Sequence, residues 1–337
     1  MRVVGPIKIR WQEGLSEIIK VPLATFETPL WPSVNRGAAL SCLTEGIQIT
    51  LISDCMTRSV LIEAPDATYA HQVTTALKGF RGEMEAVVAS TSRFASLENW
   101  HVQIVGKLIY MRFAFETGDA AGHNMTTKAA DNLLAWILKK YPKLRYGSIS
   151  GNFCTDKKVS AVNGILGRGK YVIAELIITK QDCEKILKTS PERIVELNIK
   201  KNLMGSIISG GLRTANAHFA NMLLGFYLAT GQDAANIIEG SQGIVHTEML
   251  DSDLYFSVTL PNLILGTVGN GKQHDYVQKN LDMMGCLAPN NPGINAKRLS
   301  GILGATVLCG ELSLLAAQTK PGELMKSHLR LERLERA

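Results

Sequence analysis

Between residues 59 and 148 the hydrophobic pattern changes period in a set order, and few folds accept that order. Val60, Leu61 and Ile62 open it as a short strand. Residues 66–99 then carry apolar positions at helical spacing, broken near Gly79 and Gly82. Residues 101–105 and 107–116 alternate apolar and polar around Gly106, the mark of a hairpin. Residues 123–141 read as an amphipathic helix, and 144–149 return to strand. The order β-α-β-β-α-β is that of a ferredoxin-like split unit. A small domain over 59–148 is therefore expected, inserted into a larger one.

The flanking chain is richer in helix. Strands are expected at 47–52, at 171–178 and, paired, at 244–248 and 254–260. Helices are expected at 181–203, 214–230 and 295–318, with a last one from about 322. Residues 214–230 are apolar almost all round, as in a helix buried inside a domain. The expected class is α+β, with a large helix-rich domain around that central helix and the ferredoxin-like (βαββαβ) domain inserted. The divisions are 1–58, 59–148, 149–318 and a C-terminal helix over 319–337. A chain of 337 residues can bury two such cores.

The net charge of +6 comes without any long basic run, so no nucleic-acid groove is indicated. A phosphorylated small molecule suits it equally well. The six cysteines are widely spaced, which offers no zinc pattern and fits a reduced, cytoplasmic protein. The most apolar helical run, 220–229, is about half the ~20 residues that cross a bilayer.

Chemistry concentrates in residues 146–170, YGSISGNFCTDKKVSAVNGILGRGK. Ser150, Asn152, Asp156, Lys157 and Lys158 share a loop suited to a polar, anionic ligand. Glu27 is a lone acid among apolar and small residues, a setting that tends to raise a carboxyl pKa. Asp119 and Gly122 lead into a helix whose free N–H groups can hold an anion, although Asp119 could equally cap it. Thr214, His218, Asn221 and Gly225 fall on one helical stripe. Asp233 stands where it could cap the next helix. Gly266 and Gly269 belong to a glycine-rich run, LGTVGNGK. No G-x-G-x-x-G follows a strand, so a Rossmann site is not indicated.

These stretches, in one consistent order over nearly the whole chain, resemble the 3-hydroxy-3-methylglutaryl-CoA (HMG-CoA) reductase family. The Asp-Lys-Lys loop matches its catalytic loop, and Glu27 with Asn35-Arg36-Gly37 matches its acid and following Asn-Arg-Gly. Asp119, Gly122 and Asn124 match its Asp-Ala-Met-Gly-Met-Asn run, and Ser92-Arg93 a stretch near the adenosine 2′-phosphate. Lys201, His218-Asn221 and the glycine-rich run match further motifs. The resemblance implies an NADPH-dependent reduction of HMG-CoA to mevalonate and CoA.

The roles it implies are specific. Lys157 stabilises the carbonyl oxygen, Glu27 donates a proton, Asp233 holds both in register, and His328 protonates the departing thiolate. Arg58, Ser150, Asn152, Asp156, Lys158, Lys201, His218 and Asn221 would bind substrate. Ser92, Arg93, Asp119, Gly122, Asn124, Gly266 and Gly269 would bind NADPH. All four catalytic groups are expected to converge on one thioester carbon. Family members share that site across a dimer interface, so a homodimer or larger homo-oligomer is implied.

The chain also departs from the pattern. Ala121 and His123 replace two methionines, Arg213-Thr214 a glycine pair, and Asn270 and Lys272 a glycine and a threonine. A helical segment that precedes Val4-Gly5-Pro6 in the family has no counterpart. The alternative these differences raise is a catalytically impaired or truncated CoA-binding relative.

Overall fold

The computed structural model describes residues 1–326 and residue 329. Nine strands lie in it: β1 (Arg2–Arg10), β2 (Ser16–Leu23), β3 (Ile47–Glu63), β4 (Ser96–Val105), β5 (Leu108–Glu116), β6 (Arg145–Ile149), β7 (Gly169–Ile178), β8 (Ile244–Leu250) and β9 (Asp253–Leu263). The first sheet runs β2-β1-β3-β7-β9-β8. A second set, β6-β3-β5-β4, is antiparallel throughout. β3 belongs to both. Residues 47–55 pair with β1 and β7, and residues 56–63 pair with β5 and β6. The expected strands at 47–52 and 60–63 are therefore one strand, and the 58/59 division falls inside it.

Two hydrophobic cores follow from this. One is built on the first sheet and includes Phe219, Leu223 and Phe226 with Leu299, Leu303 and Leu308. The other packs β3–β6 against helices Ala67–Leu77, Arg81–Ala89 and His123–Lys140, around Phe113, Phe115, Leu133 and Ile137. Asp66 starts the first of these helices by accepting a bond from the Tyr69 N–H at 2.7 Å. The helix expected to reach residue 99 stops at Ala89. There the Ser90 and Thr91 hydroxyls donate back to Val87 O and Val88 O, and β4 has begun by Ser96.

Other boundaries also move. The expected helix at 181–203 is broken at Lys188, which takes φ +60°, and restarts with Pro191 in its first turn. The helix expected from 214 begins only at Phe219. Ala215 instead bridges to β8, its N–H bonding Gly243 O at 2.9 Å. Thr214 thus leaves the expected stripe. His218 and Asn221 still meet, because the Asn221 N–H bonds His218 O across the first turn at 2.9 Å.

Helix Phe219–Ala229 carries the expected apolar run, and a longer apolar helix spans Ile294–Gln318. Its length and composition would suit a membrane, yet 94% of its apolar window is buried inside the protein. It crosses helix Leu30–Leu43 at Gly37, where an added Cβ would lie 2.3 Å from Cys309 O. Backbone cannot yield there as a side chain can. Gly37→Ala is expected to destabilise the fold by about 1–3 kcal/mol, read as a lower midpoint in thermal unfolding; an unchanged midpoint would refute this close approach.

Candidate active site

The loop after β6 is held in a costly conformation. Asn152, Thr155 and Lys157 take φ of 55°, 45° and 54°, a region that costs a non-glycine residue roughly 1–2 kcal/mol. Bonds from outside the loop offset the strain. Ser59 Oγ accepts the Phe153 N–H at 3.1 Å, and Glu239 Oε1 accepts the Lys157 N–H at 3.0 Å. Beneath lies Arg168, fully buried, paired with Glu239 at 2.8 Å and with Asp156 at 3.0 Å. Arg58 approaches Asp156 at 3.9 Å. Burial pushes the Glu239 carboxyl above its usual range, although Arg168 and the Lys157 N–H pull against it. Arg168 and Glu239 were not singled out in the sequence. The available signal was an arginine set between Gly167 and Gly169 at the head of an apolar strand.

This support aims Lys157 at Asp233, with Nζ 2.7 Å from Oδ2. The hydrogen bond it donates to Asp233 raises the lysine pKa. Burial pushes the aspartate up, but its bonds from Lys157 and from the Ala235 N–H outweigh that and hold it low. The pair is ionised at neutral pH. Asp233 also caps the short turn Ala234–Asn236, so one carboxylate both caps the turn and pairs with Lys157.

Asp233 lines a cavity of about 440 Å³ together with Ala120–Met125, Gly231, Gln232, Ile264, Val268, Gly269, Asn270 and Lys272. Of the residues expected to bind cofactor, Gly122, Asn124 and Gly269 lie on its wall. Asp119 does not. Its carboxylate accepts the N–H groups of Gly293 (2.9 Å) and Ala296 (2.8 Å), capping the long buried helix rather than the one it precedes in sequence. Gly266 also lies off the wall, where a Cβ would meet Ala121 N at 2.5 Å. Ser92 and Arg93 sit in the Ser-Arg-Phe turn, and Phe94 of that turn packs near Gly118. The Arg93 guanidinium rests 4.6 Å from the Phe94 ring centroid. Burial lowers the pKa of His123, and its Nε2 has no hydrogen-bond partner.

Glu27 lies elsewhere. Its Oε2 accepts from Asn221 Nδ2 at 2.7 Å, and Asn221 Nδ2 lies 3.4 Å from His218 Nδ1. These three line a second cavity of about 370 Å³ with Arg36, Ser33 and Leu324. Glu311 fixes the wall by accepting the N–H groups of Ala217 (2.9 Å) and His218 (2.6 Å). It was missed in the sequence, although it is the one charge between Arg298 and Lys320. Lys201 contacts Asn202 Oδ1 at 3.0 Å; burial lowers its pKa and Glu311 opposes that. Ser150 Oγ accepts the Asn152 N–H at 3.1 Å, while Asn152 and Lys158 are exposed. His328 lies outside the described residues. The expected convergence of Glu27 with Lys157 and Asp233 does not occur within one chain: Glu27, between β2 and helix Leu30–Leu43, lines one cavity, and Asp233, the partner of Lys157, lines the other.

Two sheets sharing one strand, a strained lysine loop over a buried ion pair and a glycine-walled cavity define a class of α+β protein. A family model described as hydroxymethylglutaryl-coenzyme A reductase matches residues 1–333. The 3-hydroxy-3-methylglutaryl-coenzyme A reductase of Pyrococcus horikoshii is 46% identical over 322 residues, 94% of this chain and 77% of its own. That of Aeropyrum pernix is 40% identical over 328 residues, 97% of this chain and 77% of its own. The chain belongs to the hydroxymethylglutaryl-coenzyme A reductase family. Its fold also matches the class II enzyme of Streptococcus pneumoniae, solved bound to NADPH in open conformations. The TM-score is 0.73 at 16% identity, over 95% of this chain and 84% of that one.

Proposed function

We propose that this protein reduces HMG-CoA to mevalonate and CoA, with NADPH as the hydride donor. The observation that carries the reading is the Lys157–Asp233 pair, 2.7 Å apart, on a loop beside the glycine-walled cavity. Reduction of a thioester puts negative charge on the carbonyl oxygen at each hydride step, and a fixed ammonium stabilises it. Two hydrides and two protons yield a primary alcohol and a free thiol; one proton ends on the hydroxyl and one on the thiol.

The cavity walls suit a dinucleotide. The first N–H bonded inside helix His123–Lys140 is that of Thr126, to Gly122 O. The N–H groups of His123, Asn124 and Met125 therefore remain for an anion at the helix start. NADPH supplies the hydride when bound there. The sheet β6-β3-β5-β4 with its helices is, in this reading, the ferredoxin-like unit that carries it.

Glu27 serves the same reaction from a second copy of the chain. Each copy carries one half-site with Lys157 and Asp233 and another with Glu27, His218 and Asn221, and a two-fold dimer brings opposite halves together. Leu324 lines the Glu27 cavity, and Glu323 acts on Arg36 beside it. The family resemblance supports His328 as the proton donor to the CoA thiolate. Incubation with HMG-CoA and NADPH or NADH tests the whole. About two nicotinamides oxidised per CoA released is the expected stoichiometry; CoA release without oxidation would overturn the reading.

A further inference from the structure

Lys272 stands where the family pattern has a threonine, and its surroundings are unusual for a lysine. It is 6% exposed and lines the same cavity as Asp233. Its Nζ donates to Gly231 O at 2.5 Å. Among the described residues no carboxylate pairs with it. Asp233, the acid on that wall, is already bonded to Lys157 and to the Ala235 N–H. An ammonium has three protons to donate, so this one is both under-satisfied and without a counter-charge.

The position is also rigid. Gly231 and Gly271 meet back to back, each Cβ site lying 2.5–2.6 Å from the other's carbonyl oxygen. Gln232 and Gly266 exchange two hydrogen bonds of 3.0 Å. The loops bearing Lys272 and Asp233 are thereby locked together, and the Thr267 N–H, bonded to Asp119 O at 2.8 Å, ties in the turn before helix His123–Lys140. A buried cation held still, facing a cavity and lacking an anion, is a site prepared for one.

We infer that Lys272 holds a phosphate oxygen of the dinucleotide in this cavity, giving this chain an anion contact that the family's threonine lacks. The inference rests on the cofactor reading above. Burial alone depresses the Lys272 pKa, to about 8. The other ionisable groups around the cavity are His123 on its helix and Asp233 with Lys157; His274 and Asp275 follow in the next helix. A phosphate binds the charged form, so its affinity is full below about 8 and falls as pH rises past it.

The test is NADPH and NADH binding to the full chain, followed by nicotinamide fluorescence, with Lys272→Met, Lys272→Thr and Lys272→Arg beside the wild type. Loss of the charge is expected to weaken NADPH binding by about tenfold or more, while Lys272→Arg retains most of it. Inorganic pyrophosphate is expected to displace NADPH from the wild type and not from Lys272→Met. Equal weakening of NADPH and NADH assigns the contact to the diphosphate; weakening of NADPH alone assigns it to the 2′-phosphate. Unchanged affinity in a folded Met or Thr variant overturns the inference. A wild type that binds pyrophosphate through Lys272 but neither nicotinamide would overturn the cofactor reading and leave the anion site standing. Binding of none of these would overturn both.

Discussion

Lys157→Ala is expected to lower kcat about a hundredfold or more, for the thioester and for the free aldehyde alike. Both reductions put charge on a carbonyl oxygen, and loss of a preorganised donor typically removes about 3–4 kcal/mol of transition-state stabilisation. The loop should survive the change. Its anchor at this position is the backbone N–H of Lys157 bonded to Glu239, which alanine retains. Lys157→Arg is no conservative control, because a planar guanidinium presents its protons differently from a point-like ammonium. Lys139→Ala is the better one, since that lysine is exposed in the last turn of helix His123–Lys140 and belongs to neither cavity. Steady-state kinetics with each substrate checks the prediction. A kcat within a few-fold of wild type would remove Lys157 from the chemistry.

The second large effect concerns two copies. Glu27→Gln and Lys157→Ala should each be nearly inactive alone, a proton donor typically contributing about 10²–10⁴-fold. Co-expressed with different tags and purified through both, they should regain activity, since every mixed dimer keeps one site with an intact Glu27 and an intact Lys157. Random pairing without tag selection would give about a quarter of wild-type activity. The structural ground is that Glu27 and Asp233 line different cavities in one chain. If the selected mixed dimer is as inactive as the single variants, the shared site is wrong and another route must join the half-sites.

Much of the architecture was readable because local periodicity carries it. The strands at β4–β9, helix His123–Lys140 and the start of helix Ile294–Gln318 follow patterns set by neighbours in sequence. Boundaries failed where a distant contact intervened. Ala215 was drawn out of its helix by β8, and the two strands of 47–63 merged because both sheets needed the same backbone. Asp119 shows the limit most clearly. Its place before helix His123–Lys140 suggested a cofactor contact or a cap for that helix, yet its carboxylate went to Gly293 and Ala296.

The residue types that charge chemistry needs, and their order, were determined by the sequence alone: Glu27, Lys157 and Asp233 could be named from it. Tertiary structure decided which of them meet. Lys157 finds Asp233 through a loop anchored on the buried Arg168–Glu239 pair, and Glu27 is turned to Asn221 and His218 instead. The reason is physical. Periodicity reports which face of an element is apolar, whereas the pairing of charges depends on backbone positions set by packing between segments far apart in the chain.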